Sequence, residues 1–173
     1  MLINGAAGGV GTFAVQIAKW LGAEVTGVCS AANLDLVRSI GADHVVDYTQ
    51  EDFMCHDRLF DVILDNVMNH SLSWCRRALA QEGTLILNNG TSGGPWIGPL
   101  RRMASDVLPS RFIHQRVCLA RLPCKADLVV LKVRIEAGEL TPMLDRTYSL
   151  AETAQALRYP GKGHARGKVV ICL

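Results

Sequence analysis

The sequence predicts an α/β fold: a doubly wound parallel sheet of the Rossmann type, strand order 3-2-1-4-5-6, with a C-terminal strand–helix–strand extension. Three observations carry this. Residues 1–30 read as strand, glycine-rich loop, helix and strand, the opening unit of a dinucleotide-binding sheet. Short apolar runs then alternate with helical periods and glycine stops, the pattern of crossover connections. The run Phe60-Asp61-Val62-Ile63-Leu64-Asp65 is nearly continuously apolar, as a strand covered on both faces requires.

Each element follows from local signals. Met1-Leu2-Ile3 is the first strand, and Asn4-Gly5-Ala6-Ala7-Gly8-Gly9-Val10-Gly11 is the loop. Its core, Ala6-x-Gly8-x-x-Gly11, is a G-x-G-x-x-G pattern with the first position relaxed to alanine. Gly8 leaves room for a pyrophosphate near the backbone, and Gly11 lets the helix pack closely on the strand. The first helical amides then face the phosphates, where the helix dipole favours negative charge. The helix covers 10–21, with Val10, Ala14, Ile17, Ala18 and Leu21 set toward the sheet. The second strand is 24–29. A helix over 34–40 stops at Gly41, and strands follow at 44–47 and 60–65. A helix over 71–81 ends before Gly83, and 84–87 is the fifth strand. Residues 88–99 form a polar, glycine-rich loop, followed by a helix over 100–108. A sixth, edge strand covers 112–122, and a long helix covers 126–137. In the extension, 140–148 is strand-like. Ser149-x-x-Glu152 is a capping box opening a helix to about 159, and 168–172 is the last strand. The chain divides at 139/140, into a cofactor-binding domain (1–139) and a C-terminal segment (140–173).

The 173 residues carry a net charge of +2 and are 49% hydrophobic. This describes a well-buried globular domain and implies neither a nucleic-acid binder nor a membrane-surface protein. No run of 18 apolar residues and no signal-peptide pattern occurs, so a cytoplasmic location is expected. The six cysteines form no C-x-x-C pair and are expected to be reduced and buried. The five histidines show no metal-ligand spacing, and no metal site is expected. The first strand begins at Met1 and is shorter than a usual central strand, the mark of a chain that starts inside a strand.

An acid at the end of the second strand would hold a ribose 2′-OH. Here Cys29-Ser30-Ala31-Ala32-Asn33 stands there instead. Nothing in it repels a 2′-phosphate, so NADP is expected over NAD. Ser30, Asn33 and Tyr48 are candidate donors to that phosphate. With no Arg or Lys in the stretch, the preference is expected to be modest. Ser30 and Asn33 are also good helix caps, and for Asn33 the two readings stand equally.

Beyond these readings, the chain resembles the medium-chain dehydrogenase/reductase superfamily, in its zinc-independent, quinone-oxidoreductase-like branch. The resemblance rests on the loop of residues 2–11, on Ser39-Ile40-Gly41-Ala42-Asp43-His44-Val45-Val46-Asp47-Tyr48 and on residues 60–67. It continues in Glu82-Gly83-Thr84-Leu85 and Gly163-His164-Ala165-Arg166-Gly167-Lys168-Val169-Val170. It implies NAD(P)H-dependent reduction of a quinone, enone or other carbonyl substrate. It also implies roles: Gly8, Gly9 and Val10 at the pyrophosphate, Ser30 and Tyr48 by the adenosine ribose, Asn66 and Val67 at the nicotinamide-side ribose. Asn89 and Gly90 would lie near the nicotinamide. It further implies a homodimer through the edge strand 112–122, with no nucleic acid or membrane partner.

Three departures from the family pattern stand out. Met68 occupies a position generally held by glycine, where a side chain is expected to crowd the cofactor. The basic residue used for the 2′-phosphate near Ala32 or Asn33 is missing. The family's N-terminal GroES-like catalytic domain is not expected in this chain, and segment 140–173, which in the family partly packs against it, is expected to find another partner or leave apolar surface exposed. No catalytic residue is assigned.

The residues themselves admit two other readings. Gly90-Thr91-Ser92-Gly93-Gly94 matches a hydrolase G-x-S-x-G, but Pro95 follows where a nucleophile elbow needs a helix. The alternative function is a non-catalytic nucleotide-binding module, or a piece needing a partner chain.

Overall fold

The computed structural model describes residues 1–51, 58–88, 114–121, 123–162 and 165–173. Six strands form one parallel sheet in the order β3-β2-β1-β4-β5-β6. They are β1 (Leu2–Asn4), β2 (Thr26–Cys29), β3 (His44–Asp47), β4 (Phe60–Asp65), β5 (Leu79–Leu87) and β6 (Arg116–Leu119). The helices are α1 (Gly11–Trp20), α2 (Leu34–Ser39), α3 (Leu72–Ala78), α4 (Lys125–Glu136) and α5 (Thr153–Arg158). A separate parallel pair, β7 (Leu144–Ser149) and β8 (Lys168–Cys172), flanks α5. The expected order and the terminal strand–helix–strand unit are both present.

Alternation along the strands divides the core between the two faces of the sheet. Leu2 joins Val28, Ile63, Cys75, Ala78 and Leu85 on one face. Its neighbour Ile3 joins Ala6, Val15, Ala18, Val25 and Val37 on the other. β1 therefore lies at the centre of both layers, and its carboxyl end, Asn4, is where the strand order reverses.

Several boundaries differ from those read in the sequence. The buried face of α1 is Gly11, Thr12, Val15 and Ala18, while Val10 and Leu21 are exposed. The cause is Gly11. A Cβ there would stand 2.1 Å from the Gly5 carbonyl oxygen, so this contact sets the helix rotation and turns Val10 outward.

Helix 71–81 ends at Ala78. Leu79, at ψ 142°, opens a strand running through the expected 84–87. The Gln115 side-chain amide lies 3.0–3.2 Å from the carbonyl oxygens of Arg76, Leu79 and Ala80, supplying partners that further helical turns would have supplied.

Of the 112–122 strand, only Arg116–Leu119 is extended among the described residues. In the extension, the strand starts at Leu144 rather than 140, because Leu140 is buried in the turn after α4. The Ser149–Glu152 capping box is present, with the Glu152 carboxylate accepting from the Ser149 amide at 2.9 Å. It opens a 3₁₀ turn (Leu150–Glu152) before α5.

Burial of the cysteines is also corrected. Cys29 and Cys75 are buried, but Cys118, Cys124 and Cys172 are exposed, because β6, the start of α4 and β8 have an uncovered face. The apolar surface expected on segment 140–173 is present at Leu144, Leu150 and Leu157. The 88–99 loop beyond residue 88, the 100–108 helix and Ser92 lie outside the described residues.

Candidate nucleotide-binding site

A groove of about 750 Å³ opens over the carboxyl ends of β1, β2 and β4, where the strand order reverses. Its floor is the glycine-rich loop. Gly5 takes φ +77°, a left-handed conformation that favours glycine, and a Cβ there would press on Val67 at 2.9 Å. The Gly5 and Ala6 amides both donate to the Val28 carbonyl, at 3.1 and 2.9 Å, which ties the loop to β2. Gly8 is different. A Cβ on it would meet only the Gly5 oxygen at 3.5 Å, an ordinary contact. Nothing among the described residues requires glycine at position 8, which leaves space there for a ligand. α1 then starts at Gly11, after Val10, with no side chain capping it, leaving its positive end directed at the groove.

The sequence-derived candidates converge. Gly8, Gly9, Val10, Ser30, Asn33, Tyr48, Asn66 and Val67 all line this groove. Asn89 and Gly90 lie outside the described residues. At the β2 end the Asn33 Nδ2 donates to Ser30 Oγ at 3.1 Å, while its Oδ1 is buried without a partner in the protein. The Ser30 hydroxyl hydrogen therefore stays available to a ligand. Neither residue caps a helix through its side chain. The Tyr48 amide donates to the Cys29 carbonyl at 3.1 Å, which keeps the ring beside them.

Asparagines on the groove lining gather at the ends of β1, β4 and β5. Asn4 Nδ2 donates to Asp65 Oδ1 at 2.9 Å and to Asn69 Oδ1 at 3.0 Å. Asn66 Nδ2 donates to the Asn4 carbonyl at 3.0 Å, and Asn88 Nδ2 to Asn66 Oδ1 at 2.7 Å. Buried Asp65 also takes the Val67 and Met68 amides on Oδ1, at 3.1 and 2.8 Å. This carboxylate folds the 66–68 turn back under the groove.

Met68 is the corrected expectation. Its φ of +56° explains why glycine suits the position. Its side chain is buried and takes no part in the groove lining, so it does not crowd the site.

Sequence reasoning missed Asn4, Asn69, Asn88 and Arg166 as lining residues. The signal for the asparagines was their position next to strand carboxyl ends. For Arg166 it was the Ala165-Arg166-Gly167 run just before the last strand. The described lining carries no carboxylate, and Arg166 stands at its edge, its amide donating to Asp145 Oδ2 at 2.9 Å. At the floor of the groove, burial and then Asp47 push the Cys29 thiol up to about 11, so it is a neutral wall group.

Residues 40–171 match the family model described as zinc-binding dehydrogenase. This chain belongs to the zinc-binding dehydrogenase family. Among the described residues no three His, Cys, Asp or Glu side chains gather as metal ligands. Within the wider family the chain is similar to mouse mitochondrial NAD(P)H oxidoreductase RTN4IP1, 37% identical over 98% of this chain and 47% of the relative. It is similar to the trans-enoyl reductase pgmF of Aspergillus terreus at 29% identity, over 99% of this chain and 51% of that protein. Among solved structures it superposes on the quinone oxidoreductase of Coxiella burnetii with a TM-score of 0.82 and 25% identity, over 99% of this chain and 52% of that one. The chain spans about half the length of the curated relatives it matches.

Proposed function

We propose that this chain is the cofactor-binding half of an NAD(P)H-dependent oxidoreductase acting on a quinone, enone or other carbonyl compound. The observation carrying this reading is the groove at the strand-order reversal, with an open glycine floor at Gly8, an uncapped helix start and no carboxylate on its described lining. A bound nicotinamide would supply hydride transfer. Gly8, Gly9 and Val10 hold the pyrophosphate, helped by the α1 dipole and Arg166. Ser30, Asn33 and Tyr48 hold the adenosine ribose. Asn66 and Val67 hold the second ribose, with Asn89 and Gly90 toward the nicotinamide. NADPH is preferred to NADH, modestly, because the described lining carries no acid and, at the β2 end, no cation. Residues 1–139 serve the cofactor, and 140–173 dock on the half that carries the substrate pocket. The chain pairs with a second copy along β6. The relatives named mitochondrial support that compartment for the full-length protein beside the cytoplasm expected from this sequence.

Titration of the purified chain with NADPH and NADH, followed by calorimetry, tests the reading. Saturable binding is expected, a few-fold tighter for NADPH. Gly8→Ala meets no clash with the described residues, so it should keep the fold while raising the dissociation constant about tenfold or more; Gly8→Glu should abolish binding. Binding of neither nucleotide overturns the reading. A non-catalytic nucleotide-binding module is the second reading. Turnover of NADPH with a quinone by the chain excludes it.

A further inference from the structure

Asp65 ends β4 as a buried carboxylate whose described partners include no cation. It is 1% exposed and does not itself line the groove. Its Oδ1 accepts from Asn4 Nδ2 at 2.9 Å and from the Val67 and Met68 amides at 3.1 and 2.8 Å. All three donors are neutral amides, so dipoles hold the carboxylate and none of them cancels its charge. Two of these contacts lead straight to the groove, because Asn4 and Val67 line it. The same Asn4 Nδ2 also donates to Oδ1 of Asn69, another lining residue, at 3.0 Å. The carboxylate therefore lies one hydrogen bond beneath the wall. The wall at this end, Asn4, Asn66, Val67, Asn69 and Asn88, carries no formal charge. A charge buried under an uncharged wall is weakly screened and acts on whatever occupies the groove.

We propose that Asp65 sets the redox poise of a nicotinamide held at the β4 end of the groove, favouring its oxidised form and so making its reduced form a stronger hydride donor. The inference rests on the groove being a nicotinamide-nucleotide site with the adenosine at the β2 end. The sign follows from the ring. When the reduced ring gives a hydride to a carbonyl or enone, two electrons leave with the hydrogen, and the ring keeps one positive charge. The phosphates and riboses are the same in both forms, so contacts to them cancel when the two affinities are compared. The Asp65 carboxylate attracts only the oxidised ring. A tenfold preference for that form lowers the midpoint potential of the bound couple by about 30 mV. Asp65 touches neither cofactor nor substrate; it acts through the wall formed by Asn4 and the 66–68 turn.

Calorimetric titration of the chain with NADP⁺ and with NADPH tests this, and the ratio of the two dissociation constants is the readout. Asp65→Asn removes the charge and keeps an oxygen for the turn amides. It is expected to weaken NADP⁺ relative to NADPH by about tenfold, the effect of one charge acting through a thin layer of protein. An unchanged ratio in this variant overturns the proposal. That includes an equal loss of affinity for both forms, the result expected if Asp65 does no more than fold the 66–68 turn. Should Asp65→Asn fail to fold, Asn69→Asp decides. Asn69 is exposed, and aspartate there keeps the acceptor for Asn4 while adding a charge to the same wall. The ratio should then move about threefold toward NADP⁺, less than for a buried charge because water screens it; an unchanged ratio overturns the proposal. Binding of neither nucleotide by the parent chain overturns the dehydrogenase reading, and this inference with it.

Discussion

Met68 has a left-handed backbone and a buried side chain, two features with opposite consequences for substitution. Met68→Gly relieves about 1 kcal/mol of backbone strain but removes a buried side chain worth about 2–5 kcal/mol. A net loss of about 1–4 kcal/mol in a denaturant melt is expected, with NADPH affinity unchanged because Met68 is not on the groove. Cys29 gives the matching pH experiment. Its folded-state pKa is raised from near 9 to about 11, by burial first and then by Asp47. Stability from the neutral thiol is therefore complete below pH about 9 and is lost as pH rises through 9–11. At pH 8, iodoacetamide should label exposed Cys118, Cys124 and Cys172 and spare Cys29, as read by mass spectrometry. At this scale the legible part of the site was what is contiguous in sequence. Gly8 and Ser30 announce themselves by a motif and a strand end. Asn4, Asn69 and Asn88 acquire their role only where three strand ends meet, and Arg166 only because Gly167 docks on Ala7 from the far end of the chain.

Among the elements, the alternation of apolar runs and glycine stops made β3 and β4 readable to the residue, because strand period and stop signals agree there. The face of α1 was misread because apolar periodicity counts side chains, whereas the rotation is set by the missing one at Gly11. The α3–β5 junction was misread for another reason. Leu72, Cys75, Ala78 and Leu79 keep helical spacing through the break, and the partner that ends the helix, Gln115, comes from a distant segment. That assigns Gln115 a measurable role. Gln115→Ala removes the donor to three carbonyls at once, and a loss of about 1–2 kcal/mol is expected in a denaturant melt. Gln115→Glu should do no better, since a carboxylate cannot donate. A variant as stable as the parent would mean that those carbonyls find other partners.

For the molecule as a whole, topology was legible because consecutive parallel strands with right-handed crossovers leave few arrangements, and the nucleotide loop marks the central strand. Surface cover was not legible, since it depends on what lies beyond one chain. Among the described residues β6 is paired to β5 on one side only, and all four of its residues, including Val117 and Leu119, are exposed. α4 carries Leu128, Val129, Val130 and Val133 outward and buries no residue. An open parallel edge with apolar side chains is a template for another strand, and a second copy of the same edge closes it with twofold symmetry. Sedimentation of the purified chain at micromolar concentration should therefore report a dimer. Val117→Lys with Leu119→Lys sets like charges against each other across the axis and should give monomer. NADPH affinity should be unchanged, because β6 lies off the groove. A monomeric parent chain removes the edge-strand dimer from the proposal. A dimer that survives both lysines moves the interface away from β6, with exposed α4 as the next surface to charge.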